Sequence, residues 1–422
     1  MKGNNMGRGL KALAVSLAVG LGMTACARDY TVGYLYVTNA KATPGLVTAY
    51  AIDYQSGALL QLSDSPIPSG GNNPVTLVAT PNGKYLYVLN HDSSSVVEFA
   101  IGTDGKLYAG ATYNVVQGNG LTGSFPTSAA VDPAGNFLYI TFTYQNGFTT
   151  VKPGPGGVAI FPIIHSTDPT KDGTLGTPLT NTTIGTTAAN PLPYIPVGNN
   201  PVGVAIPATG GFVYVIDQES PLTSSAHGVL LSFSENTTTG ALTQISGTYF
   251  GGVAAGTTPS AIAADPSGHF IYVTDQATNQ LYGYTVNATP APGTPLAMLN
   301  SPFSTGLYPL GLTVDPRGTF VYVVNFASST IGTYTINRST GALSGASGGI
   351  STATGPTCVT IDPAIGIYLY TSNNIDNSIS AEQLDPHSGA LKQVQGTQYT
   401  SQGLPTCAVA VANGAHASQI VQ

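Results

Sequence analysis

The chain has no tryptophan, only three cysteines, and only 7% charged residues in a length of 422. So little charge excludes a charged disordered chain, and the 42% apolar content is ample for a core. Fifty-two glycines and thirty prolines exclude a helical protein and point to a turn-dense, all-β one. Twelve basic against nineteen acidic residues give a formal charge of -7, which leaves no cationic face for a phosphate backbone. Nucleic acid is therefore not an expected partner.

The apolar run at 12–23, ALAVSLAVGLGM, is too short to span a bilayer. It follows Lys2, Arg8 and Lys11 and precedes Thr24, Ala25 and Cys26, the order of a secretory signal. Cys26, directly after Met-Thr-Ala, also resembles the lipobox of bacterial lipoproteins, whose cysteine becomes the acylated first residue; the alternative is an ordinary cleaved signal with an incidental cysteine. The expectation is a signal over 1–25, a tether over 26–32, export to the bacterial cell envelope, and membrane contact only through a lipid on Cys26. Cys358 and Cys407 then remain as a pair in a compartment that permits oxidation.

What the chain does have is a repeat. An aromatic, an aliphatic residue and a tyrosine recur in YLYVTN at 34, YLYVLN at 85, FLYITF at 137, FVYVID at 212, FIYVTD at 270, FVYVVN at 320 and YLYTSN at 368. The central tyrosines, Tyr36, Tyr87, Tyr139, Tyr214, Tyr272, Tyr322 and Tyr370, lie at spacings in the range of repeat architectures. Each unit opens on a proline (Pro74, Pro126, Pro201, Pro259, Pro309, Pro356, Pro405) and a short apolar strand. Turns such as Asp132-Pro133-Ala134-Gly135, whose residue order suits a type I turn, lead into the tyrosine strand. A third alternating strand and hairpins such as Thr340-Gly341 lead into a fourth. Four antiparallel strands per unit make a seven-bladed β-propeller. The chain starts with a tyrosine strand and ends with an inner one, PTCAVAVA at 405–412, so that piece is expected to complete the first blade and close the ring over 33–414, leaving a tail at 415–422. Small residues two and four places after each proline are expected to line a narrow axis. Cys358 and Cys407 hold equivalent places in adjacent blades, and a bond between them would lock the closure; two buried thiols are the alternative.

The YVTN-like strands, the Asp-Pro-x-Gly turns and the Thr-Gly-x-Leu hairpins resemble the seven-bladed propeller lactonase family, which includes 6-phosphogluconolactonases and muconate cycloisomerases, and the related YVTN surface proteins. The resemblance implies a propeller fold and, for enzymes of the family, His and Arg just after the opening position of certain inner strands. Here those places hold Val75, Thr127, Val202, Ser260, Leu310, Thr357 and Thr406. Beyond the signal, arginine occurs only at Arg28, Arg317 and Arg338, whereas holding a phosphosugar in water calls for fixed cations.

Asn39, Asn90, Phe142, Asp217, Asp275, Asn325 and Asn373 follow the tyrosine strands. Such residues either cap strand ends or form a polar, weakly anionic mouth for a glycan, small molecule or protein. His91 with Asp92, and Asp217, Glu219 and His227, are the titratable clusters on that face; a histidine beside a carboxylate can act as a base on a lactone. Neither a metal nor a cofactor is called for. The sequence thus points first to a non-catalytic binding platform, second to a divergent hydrolase of an uncharged lactone, and third to an architectural surface-layer component.

Overall fold

A computed structural model of the chain describes residues 30–116, 120–218, 227–245, 252–287, 296–299, 302–345, 349–396, 398–414 and 419–422. Cys26 and Glu219 lie outside the described residues, as does the signal-like segment.

Seven antiparallel sheets form the ring. Blade 1 joins Pro405–Ala412 to Thr31–Asn39, Leu46–Asp53 and Leu59–Gln61; blade 2 runs from Pro74 to Asn114, blade 3 from Gly123 to Pro196, and blades 4 to 7 open at Pro201, Pro259, Pro309 and Pro356. The inner strands touch one another in cyclic order, Pro405–Ala412 lying between Pro74–Ala79 and Pro356–Ile361. The closing strand pairs with the first from Gly33↔Ala412 to Asn39↔Pro405. The first strand begins at Thr31, two residues ahead of the expected boundary, because Thr31 already pairs with Asp53 and Val32 is fully buried. At the other end, residues 419–422 return to blade 7 through Gln419 N–H to the Ala364 carbonyl and Val421 N–H to that of Ile365.

The repeated tyrosine is an inter-blade lock. All seven central tyrosines are fully buried, and six donate their hydroxyls to a glycine carbonyl in the outer hairpin of the next blade: Tyr36 to Gly105, Tyr87 to Gly173, Tyr139 to Gly240, Tyr272 to Gly341, Tyr322 to Gly389 and Tyr370 to Gly57. Two residues before each, an aromatic ring covers the same glycine. A Cβ on Gly57 would lie 2.2 Å from Tyr368, and one on Gly341 2.2 Å from Phe270. Both glycines hold φ near +70°. Glycine is thus required twice, by backbone conformation and by the ring above it. The aromatic-x-tyrosine signature and the Thr-Gly hairpins are the two halves of one contact.

The Asp-Pro-x-Gly turns form as expected: Gly135 N–H reaches the Asp132 carbonyl at 2.9 Å, and the Asp132 carboxylate accepts from Asn136 and Phe137 N–H at 2.6 Å. Blade 3 departs from the pattern. Its inner hairpin extends to Gln145↔Gly123, and at the outer edge of its third strand Ile195–Pro196 pairs while Gly176 and Leu179 donate N–H to the carbonyls of Pro162 and Ile160.

The sulphurs of Cys358 and Cys407 are bonded, with the Cα atoms 4.9 Å apart. The bond joins equivalent places of adjacent blades, as expected, one of them in the composite first blade. It ties the closing strand to blade 7, and the junction with Thr31–Asn39 is held by the ladder, by Thr38 and Thr406, whose hydroxyls are 2.7 Å apart, and by Asn413, which donates to the carbonyls of Val32 and Thr31.

Candidate functional site

Each inner strand carries the same irregularity. Its opening proline pairs with the residue three places after the central tyrosine, and the next pairing skips a residue, as in Pro74↔Asn90 then Thr76↔Leu89. The shift recurs in every blade. A bulge re-aims a side chain, and the skipped residues are Val75, Thr127, Val202, Ser260, Leu310, Thr357 and Thr406. They line one end of the axial channel together with the small residues that follow them, Thr76, Ser128, Gly203, Ala261, Gly311, Cys358 and Cys407. The space is about 280 Å³.

Hydroxyl-bearing blades there alternate with apolar ones. Thr127, Ser260 and Thr406 donate to the proline carbonyl opening the next blade, at 2.6, 2.7 and 2.7 Å; Thr357 donates to the Thr406 carbonyl at 2.9 Å. Each also meets its own second strand, at Thr141, Thr274, Thr38 and Ser372. In blades 2, 4 and 6 the matching places hold Val75 with Leu89, Val202 with Ile216 and Leu310 with Val324. The pocket is lined by hydroxyls, aliphatic groups and a disulfide, with no titratable side chain.

The expected ring of Asn39, Asn90, Phe142, Asp217, Asp275, Asn325 and Asn373 is fully buried, so it caps strand ends and does not form the surface of the mouth. Asp275 accepts from the N–H groups of Thr257, Thr258 and Ala277 and from the Thr278 hydroxyl. Asn39 donates to Thr48 and accepts from Gln402 N–H, Asn90 exchanges hydrogen bonds with Ser69, and Asn373 donates to Ser380. Asn325 donates to Thr330 and Asp217 accepts from Asn200 N–H. The groups reaching the mouth sit one residue further on. His91, Gln218, Gln276, Phe326, Asn374 and Ala40 each donate a backbone N–H to the carbonyl of the residue before a blade's opening proline. Of these, Gln218 also donates to the Pro259 carbonyl at 2.8 Å and Asn374 to that of Pro405 at 3.1 Å.

His91 and Asp92 do come together: Nδ1 lies 2.7 Å from Asp92 Oδ1, which also accepts from Asn73 at 3.1 Å. The bond from His91, helped by Asn73, holds the Asp92 carboxyl below its usual range. The His91 ring stacks on Phe125, centroids 4.7 Å apart and planes 10° off parallel, and Tyr144 meets Phe125 edge-on at 5.7 Å. His227 is exposed at the entry to the third strand of blade 4, and the trio with Asp217 and Glu219 falls partly outside the described residues. Among the described residues no three His, Cys, Asp or Glu side chains gather closely enough to hold a metal ion. Arg317 is engaged far from the mouth, by Asp315 at 2.8 Å and by the carbonyls of Gly366 and Val421.

A ring of seven four-stranded blades around a neutral channel defines a seven-bladed β-propeller. The chain belongs to the seven-bladed β-propeller lactonase family, whose model matches residues 24–144 and 228–361. Among solved structures, the periplasmic gluconolactonase PpgL of Pseudomonas aeruginosa is 17% identical, covering 90% of this chain and 99% of its own, with a TM-score of 0.66. A candidate 6-phosphogluconolactonase from Bacteroides uniformis is also 17% identical, covering 91% of this chain and 100% of its own, with the same TM-score of 0.66. Hydrazine synthase of Kuenenia stuttgartiensis is 14% identical with a TM-score of 0.53, covering 85% of this chain and 97% of its own. At such identities the likeness is one of fold. No curated protein sequence matches the chain.

Proposed function

We propose that this propeller is exported, tethered through a lipid on Cys26, and acts as a binding platform for an uncharged glycan, envelope component or protein at the channel mouth. The observation that carries the reading is the neutral lining of the channel, where hydroxyls stand and no cation offers a counter-charge to phosphate. A second reading, a hydrolase of uncharged lactones, is favoured by one geometry. Asp92 engages His91 Nδ1 at 2.7 Å, which leaves Nε2 to take a proton from water.

The test is an assay of sugar and acyl lactones with wild type and with His91→Ala/His227→Ala. The platform reading expects no turnover by either protein. Turnover by wild type that disappears in the double variant would replace it with the second reading.

A further inference from the structure

Four bulky or polar residues stand immediately before the opening prolines in a left-handed backbone conformation: Asn73 at φ 52°, Phe125 at 62°, Tyr308 at 57° and Leu404 at 48°. The strain is held in place from the preceding blade. Tyr308 N–H donates to Asn279 Oδ1 at 2.7 Å, Leu404 N–H to Asn377 Oδ1 at 2.7 Å and Phe125 N–H to Ser94 Oγ at 3.2 Å. In blade 7 the same place holds Gly355 at φ 71°, so glycine meets the backbone requirement without strain. Tyr308 is 42% exposed and Leu404 40%, so neither is kept there to fill the core. Strained residues that serve neither turn nor core mark a functional surface.

Phe125 and Tyr308 carry this furthest. Each stands at the rim, next but one to a channel-lining residue (Thr127 and Leu310). Each meets a second ring, His91 at 4.7 Å for Phe125 and Phe326 at 6.0 Å for Tyr308. They precede blades 3 and 6, on opposite sides of a ring of seven. Beside the first pair stand Asp92, 55% exposed, and Asn73, which offer hydroxyl-directed hydrogen bonds. We infer that the mouth binds a neutral oligosaccharide chain laid across the channel, with sugar rings stacked on the Phe125/His91 and Tyr308/Phe326 platforms. Pyranose rings present an apolar C–H face to an aromatic and hydroxyls at their edges, which matches platforms flanked by neutral and acceptor groups without a cation. This rests on the platform reading and names its ligand: a chain of several sugars, not a single one.

The experiment is calorimetric titration of the protein with cellohexaose, laminarihexaose, maltohexaose and chitohexaose, and with the corresponding monosaccharides, for wild type, Phe125→Gly and Tyr308→Gly. Glycine fits the left-handed backbone, so thermal melts of both variants are expected to match wild type. At least one hexasaccharide is expected to bind at least tenfold more tightly than its monosaccharide, and each variant to lose about tenfold. Hexasaccharide binding that survives both substitutions, or monosaccharide binding of equal strength, overturns the spanning site while leaving the platform reading intact. No binding to any of the six sugars overturns the inference; lactone turnover in the assay above overturns the platform reading itself.

Discussion

The hydroxyl of Tyr370 donates to the carbonyl of Gly57 at 2.9 Å, joining blade 7 to blade 1 across 313 residues of chain. The same contact is made at five other junctions of the ring, so the join of last to first is built like them. Removing the hydroxyl in Tyr370→Phe leaves a buried carbonyl short of a donor. The expected cost is about 1–2 kcal/mol in denaturant unfolding. An unchanged midpoint would mean that the bond contributes nothing to closure.

Gly57→Ala is expected to cost more, about 2–4 kcal/mol, because the added methyl must both hold φ 71° and enter the Tyr368 ring. Gly396→Ala is the control: it also has a positive φ, 79°, but nothing lies within 4 Å of its added Cβ. Near-equal losses in the two variants would show that backbone strain alone, not the ring, sets the requirement.

Glu382 lies on the third strand of blade 7, 1% exposed, with no hydrogen-bond partner for Oε2. Burial pushes its carboxyl up from an ordinary 4.5 to about 8. Folding therefore favours the protonated form. Below pH 4.5 both folded and unfolded chains carry the proton, and this group sets no penalty. Between 4.5 and about 8 the unfolded chain gives it up first, so stability falls as pH rises and then levels off. Glu382→Gln is expected to remove this fall, matching wild type near pH 4 and exceeding it by about 2 kcal/mol or more at pH 8. Urea titrations at the two pH values check it; parallel curves for the two proteins would refute it.

Reducing the bond between Cys358 and Cys407, or replacing both with serine, is expected to lower stability by about 2–4 kcal/mol without changing the fold. Deleting residues 405–412 is a different operation, since it leaves Thr31–Asn39 with an unpaired edge. Loss of cooperative melting is expected for the deletion and not for the serine pair.

Repeat spacing, turn chemistry and strand order were legible because each blade rewrites the same local rules, and the unmatched strands at the two ends define how the ring closes. The mouth was only half legible. Asn90 and Asp275 look like surface polar groups in sequence, but the bulge after each proline draws them inward and turns Val75 and Ser260 to the channel in their place. A signal for this exists. The residue before each cap alternates Thr38, Leu89, Thr141, Ile216, Thr274, Val324, Ser372, in step with the channel residues it meets. The stacking of His91 on Phe125 is absent from any local pattern, because it joins blade 2 to the extended inner hairpin of blade 3. The disulfide was legible because Cys358 and Cys407 occupy equivalent places in adjacent blades.

The first strand is flanked on both sides, by Leu46–Asp53 and by Pro405–Ala412, and nearly all of it is buried. Traction applied to the chain ahead of residue 30 therefore loads two ladders in shear at once, with no edge from which to unzip. A molecule pulled from that end is expected to yield abruptly and at high force in single-molecule stretching.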